Sequence, residues 1–351
     1  MLHMIISGLL CGAVLGFVLQ RGRFCLTGGF RDMYVAKDNR IFTALLIAIT
    51  IQSIGVYALI AFGLVQFTPG TFPWLATAFG SFIFGIGIVY ASGCATGTWY
   101  RAAEGLVGSW IALFTYMLMS AVMRSSHFAG FNTEIKSFQT PANSIAETFG
   151  LPVWVFIGLL VVVTTFFVTR ELRKPKLAVA SLPQKRTGLS HVLFEKRWHP
   201  FVTASLIGVI ALAAWPLSEA TGRMAGLGIT TPSANILQFL VTGDYKFVNW
   251  GVFLVLGIFI GAHIAARGSR EFRLRAADGA TSVRSVGGGL LMGLGASLAG
   301  GCTIGNSLVM TAMMTWQGWV AMLFTILGVW TASYFLYVRR PAKARLVTQT
   351  A

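Results

Sequence analysis

Runs of about 20 apolar residues recur along the whole chain, and this feature limits the fold more than any other. Each run is long enough to cross the hydrocarbon core of a bilayer as one helix. The chain of 351 residues is 55% hydrophobic and 11% charged, whereas soluble domains carry about 25% charged residues. The pattern therefore predicts an all-α polytopic membrane protein that lies in a lipid bilayer.

The first apolar run is predicted to stay in the membrane rather than to be removed as a signal peptide. Only His3 precedes it, whereas Arg21 and Arg23 follow it, and a signal peptide carries its positive charge before the apolar core. We therefore expect about nine transmembrane helices, near residues 4–20, 41–64, 73–92, 105–123, 151–169, 201–216, 247–266, 285–300 and 318–338.

The net charge of +16 is divided unequally between the two sides of the predicted membrane. With the N-terminus outside, the inner segments hold 23 of the 27 Lys and Arg residues. The four outer ones are Arg124, Lys136, Arg223 and Lys246. An excess of Lys and Arg in cytoplasmic loops is typical of membrane proteins. The charge therefore predicts a periplasmic N-terminus and a cytoplasmic C-terminus, and it does not require a nucleic-acid partner.

An internal repeat is visible in two glycine-rich segments. GIGIVYASGCATG (85–97) and GLGASLAGGCTIG (293–305) agree at six of 13 positions. The helices that follow them, at 109–118 and 318–327, also resemble each other. Glycine alone could produce part of this match, but the shared GCxxG at equal spacing favours a true repeat.

A weaker match aligns 21–29 with 221–229, where Ala225 stands in the place of Cys25. Four predicted helices precede the linker helix at 151–169 and four follow it, so the second set is inverted relative to the first. Inverted repeats are typical of transporters. We therefore predict a 4+1+4 arrangement with a first repeat unit at 1–150, a linker helix and basic cytoplasmic linker at 151–200, and a second, inverted unit at 201–351.

Three of the four cysteines are followed by glycine three residues later. Glycine lets the backbone leave helical geometry, and such backbone is tolerated at membrane depth where protein or a watery cavity surrounds it. A helix that restarts after the break presents N–H groups that suit an anion. We therefore predict re-entrant Gly-Cys half-helices and a substrate-binding set consisting of Cys25, Cys94, Cys302, Arg23, Thr27, Gly93, Thr96, Gly301, Thr303 and Asn306.

A free cysteine can instead be a small apolar residue in a helix-packing seam. That alternative stays open for each of the three, and it is the favoured interpretation of Cys11, which lies within a helix. The sequence has no CxxC motif and no phosphate-binding GxxxxGK[ST] motif, and the Asp and Glu residues fall in predicted loops. No catalytic residue, metal site or cofactor is predicted.

The segments 16–33, 85–105 and 293–311 resemble the signature segments of the YeeE/YedE sulfur-transport family, and most of all its YeeE thiosulfate-uptake branch. The resemblance covers essentially the whole chain. It implies a bacterial inner-membrane protein, not an enzyme, that admits thiosulfate for sulfur assimilation through a narrow path marked by the three cysteines. It also implies a small TusA-like sulfurtransferase as the acceptor inside the cell.

Two alternatives remain open from the sequence. The cargo could be another sulfur or selenium oxyanion, or the protein could be a membrane sulfurtransferase with a persulfide on one cysteine and Arg23 as the stabilising neighbour. For the transporter we expect neutral thiols, which are weak S–H donors, in a file with Cys302 outermost, Cys94 between and Cys25 innermost. Successive sulfurs should lie within roughly 10 Å, so that an ion can pass between adjacent weak sites.

Overall fold

The computed structural model describes residues 1–141, 143–174, 187–196 and 198–339, apart from the side chains of Ser126 and His127. Residues 175–186 and 197 of the predicted basic linker and the last 12 residues of the chain therefore lie outside the described part. Within these ranges the chain is helical, and its α-helices are α1 (Leu2–Gly22), α2 (Leu26–Val35), α3 (Arg40–Ala61), α4 (Trp74–Tyr90), α5 (Ala95–Ala103), α6 (Val107–Val122), α7 (Ser126–Ser137), α8 (Ile145–Phe149), α9 (Val153–Leu172), α10 (Gly188–Phe194), α11 (Pro200–Glu219), α12 (Thr230–Thr242), α13 (Trp250–Gly268), α14 (Gly279–Leu298) and α15 (Trp316–Ser333).

The long helices coincide with the predicted apolar runs. Seven helical stretches of the described chain are long and apolar enough to cross a membrane. The number is eight if α14 and the π-helix Thr303–Met310, bent by 40°, form one span. With 16 residues, α6 is shorter than that. The multi-pass membrane fold is confirmed, and the figure of nine spans stays a prediction.

Short helices lie between the long ones; those that follow the cysteines occupy the places of the predicted Gly-Cys half-helices, and the others were not predicted. Three short segments, α2, α5 and the π-helix, each begin directly after one of the glycine-flanked cysteines. A fourth, α12, follows an irregular stretch after α11. They give the chain short helix N-termini in its interior, where a simple set of spans would have none.

Most long helices pack against a helix from the other half of the chain. Helix α1 packs along α13, and α11 packs along α3. In the same way α4 packs on α15, and α14 packs on α6, while α4 and α14 lie against each other. Each of these pairings has its counterpart after the two halves are interchanged, which is the relation that the sequence repeat predicts.

Glycines let α1 and α13 approach to backbone contact. A Cβ atom added at Gly12 would overlap the carbonyl of Leu254, and one added at Gly261 would overlap the carbonyl of Ala13. Small residues at such crossings are the usual means of close helix packing in membranes. The seam therefore depends on the missing side chains, and it fixes α1 against the distant α13.

We expect Gly261→Val to destabilise the protein strongly, because the added side chain has to push two backbones apart, at a cost of about 3 kcal/mol or more. The matched control is Gly158→Val in α9, where an added Cβ meets nothing within 4 Å. The measurement is the thermal unfolding midpoint of each purified variant in detergent. A similar small change for both variants would show that the α1–α13 seam has room to spare.

Candidate functional site

Each glycine-flanked cysteine lies between the end of a long helix and the start of a short one. The residue two positions before it has a left-handed backbone: Arg23 with φ 49°, Ser92 with φ 56° and Gly300 with φ 75°. The cysteine itself is extended, and the next helix begins at the following residue. The three segments thus share one local shape, in which the cysteine occupies the N-cap of a short helix.

Hydrogen bonds fix these breaks locally. The Gly97 N–H donates to the Cys94 sulfur at 3.4 Å, so the thiol caps α5 directly. In the third break, the Asn306 amide donates to the carbonyls of Ala299 and Gly301 at 3.0 and 3.2 Å. Asn306 therefore ties the π-helix back to the end of α14, which is a structural use for this predicted binding residue.

The thiols of Cys25 and Cys94 meet at Gly97. A Cβ atom built on Gly97 would lie 3.4 Å from the Cys94 sulfur and 3.6 Å from the Cys25 sulfur, so the two sulfurs are at most 7.0 Å apart. Both side chains are buried, with 7% and 3% of Cys25 and Cys94 exposed. The glycine at this position leaves open the space between two thiols that are distant in sequence.

The third cysteine segment reaches the same place from the other half of the chain. Thr303, which follows Cys302, lies beside the Cys94 thiol. Tyr116 lies near both Cys302 and Cys94, and its hydroxyl is 2.9 Å from that of Thr230 at the start of α12. The breaks from both halves therefore meet inside the protein rather than at opposite surfaces.

Three buried threonine hydroxyls lie in the first turns that follow the cysteines. Thr27, Thr96 and Thr303 are only 5%, 2% and 1% exposed. The hydroxyl oxygens of Thr27 and Thr96 have no hydrogen-bond partner within the described residues, whereas the Thr303 hydroxyl lies beside the Cys94 thiol. Most buried hydroxyls in proteins have a partner, because an unmade hydrogen bond costs free energy. Two such hydroxyls close to the thiols are suited to a polar ligand that supplies the missing contacts.

A cavity of about 190 Å³ opens next to Cys302. It has room for roughly six water molecules, and the N-terminal ends of α12 and of the π-helix both contribute to its wall. Such helix ends favour anions. The cavity is lined by Arg223, residues 225–232, Gly300, Gly301, Cys302, Gly305, Asn306, Val309 and Met310.

A second cavity, of about 350 Å³, lies at the end of the molecule where α1 stops. Arg23 lines it, but its guanidinium is already paired with two carboxylates, Glu104 and Glu271, each at 2.8 Å. Burial raises the pKa of Glu104, and the adjacent Arg23 acts in the opposite direction. The guanidinium of Arg23, a predicted substrate-binding residue, is thus already hydrogen-bonded to two carboxylates in an internal ion-pair cluster.

Sequence reasoning missed two arginines at the site. Arg101, at the end of α5, donates to the Ser92 carbonyl in the second break and lies near Cys25. Arg223 donates to the carbonyls of Ala225 and Gly226 at 3.0 and 2.9 Å, and no carboxylate pairs with it in the described chain. The alignment of Arg223 with Arg23 in the weak repeat was the one available signal for its role.

Comparison with known proteins gives the family. A family model described as Sulphur transport matches residues 21–331. The chain belongs to this family. It is 69% identical over 351 residues, and 100% of both chains, to a protein of Escherichia coli strain K12 named thiosulfate transporter TsuA.

More distant relatives agree with this assignment. A Spirochaeta thermophila protein, also named thiosulfate transporter TsuA, is 32% identical over 96% of this chain and 100% of its own. The probable transporter YedE of Escherichia coli is 33% identical over 102 residues, which cover 29% of this chain and 25% of that protein. The predicted resemblance to the YeeE/YedE family is therefore confirmed, and the relatives are named as transporters rather than enzymes.

Proposed function

We propose that this protein takes up thiosulfate across the bacterial inner membrane, through a narrow path lined by Cys25, Cys94 and Cys302, for sulfur assimilation. Two relatives matched over nearly all of this chain bear the name thiosulfate transporter. The observation that carries the proposal is the meeting of cysteine segments from both halves between two cavities. The names of these relatives do not favour the alternatives of another oxyanion or a persulfide-bearing sulfurtransferase.

The path suits the two ends of thiosulfate chemically. The terminal sulfur is soft and accepts weak S–H hydrogen bonds from neutral thiols. The sulfonate oxygens are hard acceptors, to which the unpartnered hydroxyls of Thr27 and Thr96, the nearby hydroxyl of Thr303 and the N–H groups of the short helices can donate. Each contact is weak enough to be released, as conduction requires.

The positions of the two cavities support the proposed order of the thiols. In the proposed orientation, the cavity of about 190 Å³ is the outer cavity, and Cys302 borders it. The second cavity, of about 350 Å³, is the inner cavity, and Arg23, two residues before Cys25, borders it. Cys94 has contacts on both sides, with Thr303 and with Cys25. The ion would thus pass Cys302, then Cys94 and then Cys25, and the separation of at most 7.0 Å between the last two sulfurs is within the expected spacing.

Cations outside the membrane are suited to collect the anion. Three of the four outer cations lie at or next to the irregular segments that precede α12 and follow α14. Arg223 lines the outer cavity, Arg124 donates to the Thr231 hydroxyl, and Lys136 donates to the Ser297 carbonyl. Fields of this kind raise the local concentration of an oppositely charged solute. Arg101 would then attract the ion inward beside Cys25, whereas the charge of Arg23 is largely compensated by Glu104 and Glu271.

The two repeat units, 1–150 and 201–351, with the linker segment 151–200 between them, are part of the proposal. Because the main helix contacts run between the units, neither unit is a compact body that could rock against the other. Passage by local shifts around the cysteines is consistent with this packing. The Gly93 and Gly301 positions beside the thiols allow such shifts close to a ligand.

The orientation is proposed from the Lys and Arg asymmetry: N-terminus in the periplasm, C-terminus in the cytoplasm. A reporter fused after Ala351 should be active only if it is of the cytoplasmic type. A cysteine introduced at the exposed Lys246, with the four native cysteines left buried, should react with an impermeant maleimide in intact cells after outer-membrane permeabilisation. Labelling at position 246 only after lysis would reverse the assignment.

A small TusA-like sulfurtransferase is the proposed acceptor on the inner side. The second cavity, near the proposed exit, presents a mixed lining of Arg21, Arg23, Glu195 and Glu271. Such a charged rim is suited to a transient polar interface. Co-purification of tagged protein with a TusA-like protein, and its loss on Glu271→Lys, would support this partner.

The function is tested by uptake of ³⁵S-thiosulfate into proteoliposomes that contain the purified protein. We expect uptake that saturates and is little affected by an excess of sulfate, because sulfate has no soft sulfur. Empty liposomes are the control. Equal competition by sulfate or selenate would assign a different oxyanion, and retention of ³⁵S on the protein after denaturation would assign the sulfurtransferase.

A further inference from the structure

A cavity of about 810 Å³ lies away from the cysteine path, at the basic end of the helix bundle. It is formed where α3 begins, where α10 ends and where α11 begins. Its lining includes neither the path cysteines Cys25, Cys94 and Cys302 nor Arg101 and Arg223. Its lining consists of Arg40, Val192, Lys196, Trp198, His199, Pro200, Val202 and Leu206.

The rim of this cavity is rich in hydrogen-bond donors. Arg40 and Lys196 are exposed cations from two separate segments, and His199 is exposed beside them. The His199 Nδ1 atom accepts the Phe201 N–H at 3.2 Å, which leaves Nε2 as the donor of that ring. Arg40 has Asp38 as a loose partner, 3.6 Å away. The rim can therefore hold a phosphate with several donors at once.

The floor of the cavity is apolar and continues onto the surface that faces the membrane. Val202 and Leu206 lie four residues apart on α11, and 56% and 38% of their surface is exposed. Residues at that spacing form one face of a helix. Trp198 lines the same cavity, and tryptophan is enriched at the boundary between lipid headgroups and acyl chains.

The segment that carries the rim is held firmly against α1. The Trp198 ring donates to the Val192 carbonyl at 2.8 Å and packs on Phe17, with 6.2 Å between ring centroids. Arg21, at the end of α1, donates to the Lys196 carbonyl at 3.0 Å. The cavity is therefore a formed pocket between helices rather than a gap beneath a loose loop.

We propose that this cavity binds an anionic phospholipid of the cytoplasmic leaflet, with the phosphate on Arg40, Lys196 and His199 and one acyl chain along Val202 and Leu206. The charge of the rim complements a phosphate, and the apolar floor joins the bilayer directly. Basic pockets between helices on the cytoplasmic side bind anionic lipid headgroups in other membrane proteins. The lipid would fasten α10 and the start of α11 to α3.

The test uses native mass spectrometry of the full-length protein with added phosphatidylglycerol or phosphatidylcholine. We expect selective retention of phosphatidylglycerol and about fivefold weaker binding in Lys196→Gln, because one cation near the headgroup contributes about 1 kcal/mol. The matched control is Arg284→Gln, which removes an exposed cation from α14 on the same side. Inorganic phosphate is added separately to test for a free-anion site.

The outcomes are distinct. Selectivity for phosphatidylglycerol that falls in Lys196→Gln and persists in Arg284→Gln supports the site. Equal retention of phosphatidylcholine, an equal loss in both variants, or displacement of the lipid by millimolar inorganic phosphate would overturn it. None of these results depends on thiosulfate uptake, so the lipid site and the proposed function can fail independently.

Discussion

Cys94→Ala is expected to reduce thiosulfate uptake by about 10- to 100-fold while the protein still reaches the membrane. Cys94 lies at the centre of the proposed path, next to Cys25 and to Thr303, and its sulfur also caps α5. A hydrogen bond to a charged group contributes about 1.5–3 kcal/mol. Because no other thiol can take the middle place, its loss leaves a gap between the outer and inner sites.

Cys11→Ala is the matched control for this prediction. Cys11 is a buried cysteine too, with 8% exposed, but it lies on α1 in an apolar groove beside α11, outside the path. Uptake should stay within about twofold of the unmodified protein, since only a small packing change results. Initial rates at equal protein density in proteoliposomes provide the comparison. Equal tolerance of both substitutions would return Cys94 to the role of a packing residue.

Arg223→Gln is expected to raise the KM for thiosulfate by about tenfold or more, because a charge-assisted hydrogen bond contributes about 1.5–3 kcal/mol. In the described chain Arg223 has carbonyl partners and no carboxylate, so its charge is uncompensated beside the outer cavity and Cys302. The maximal rate should change less than the KM, since the thiols remain in place. Added salt should weaken uptake by the unmodified protein more than by the variant.

Lys246→Gln removes an equal charge from the same outer side. Lys246 is exposed and paired with Asp244 at 2.8 Å, and it does not line the outer cavity. Its loss should leave the KM almost unchanged. If both substitutions raise the KM equally, then general outer charge rather than Arg223 attracts the ion. If neither does, Arg223 has a structural role in its own loop.

The long helices could be predicted because burial in a membrane requires an unbroken apolar run. The predicted run at 247–266 and the observed helix Trp250–Gly268 differ by a few residues at each end. The exception in this group is α14, which begins at Gly279 rather than near 285, because Asp278 caps its polar first turn. Caps of this kind are set by local hydrogen bonds that hydropathy does not record.

The cysteine breaks could also be predicted, since glycines around a polar site inside an apolar run indicate a backbone that leaves helical geometry. What the sequence could not show is which distant groups meet there. Cys25 and Cys94 are 69 positions apart in the chain and share the space over Gly97. Arg23 lies beside Glu104 and Glu271 only because three separate helix ends converge. Such contacts follow from packing, which leaves no local pattern.

The exchange of helices between the halves has a consequence for how the protein is made. Helix α1 ends at Gly22, and its main partner α13 begins at Trp250. At a synthesis rate of about 5–20 residues per second, the partner follows roughly 10–50 s later. During that interval the glycine seam of α1 faces lipid or the insertion machinery. Truncated chains that stop before α13 should therefore be targets for membrane quality-control proteases, however well their first helices have been inserted.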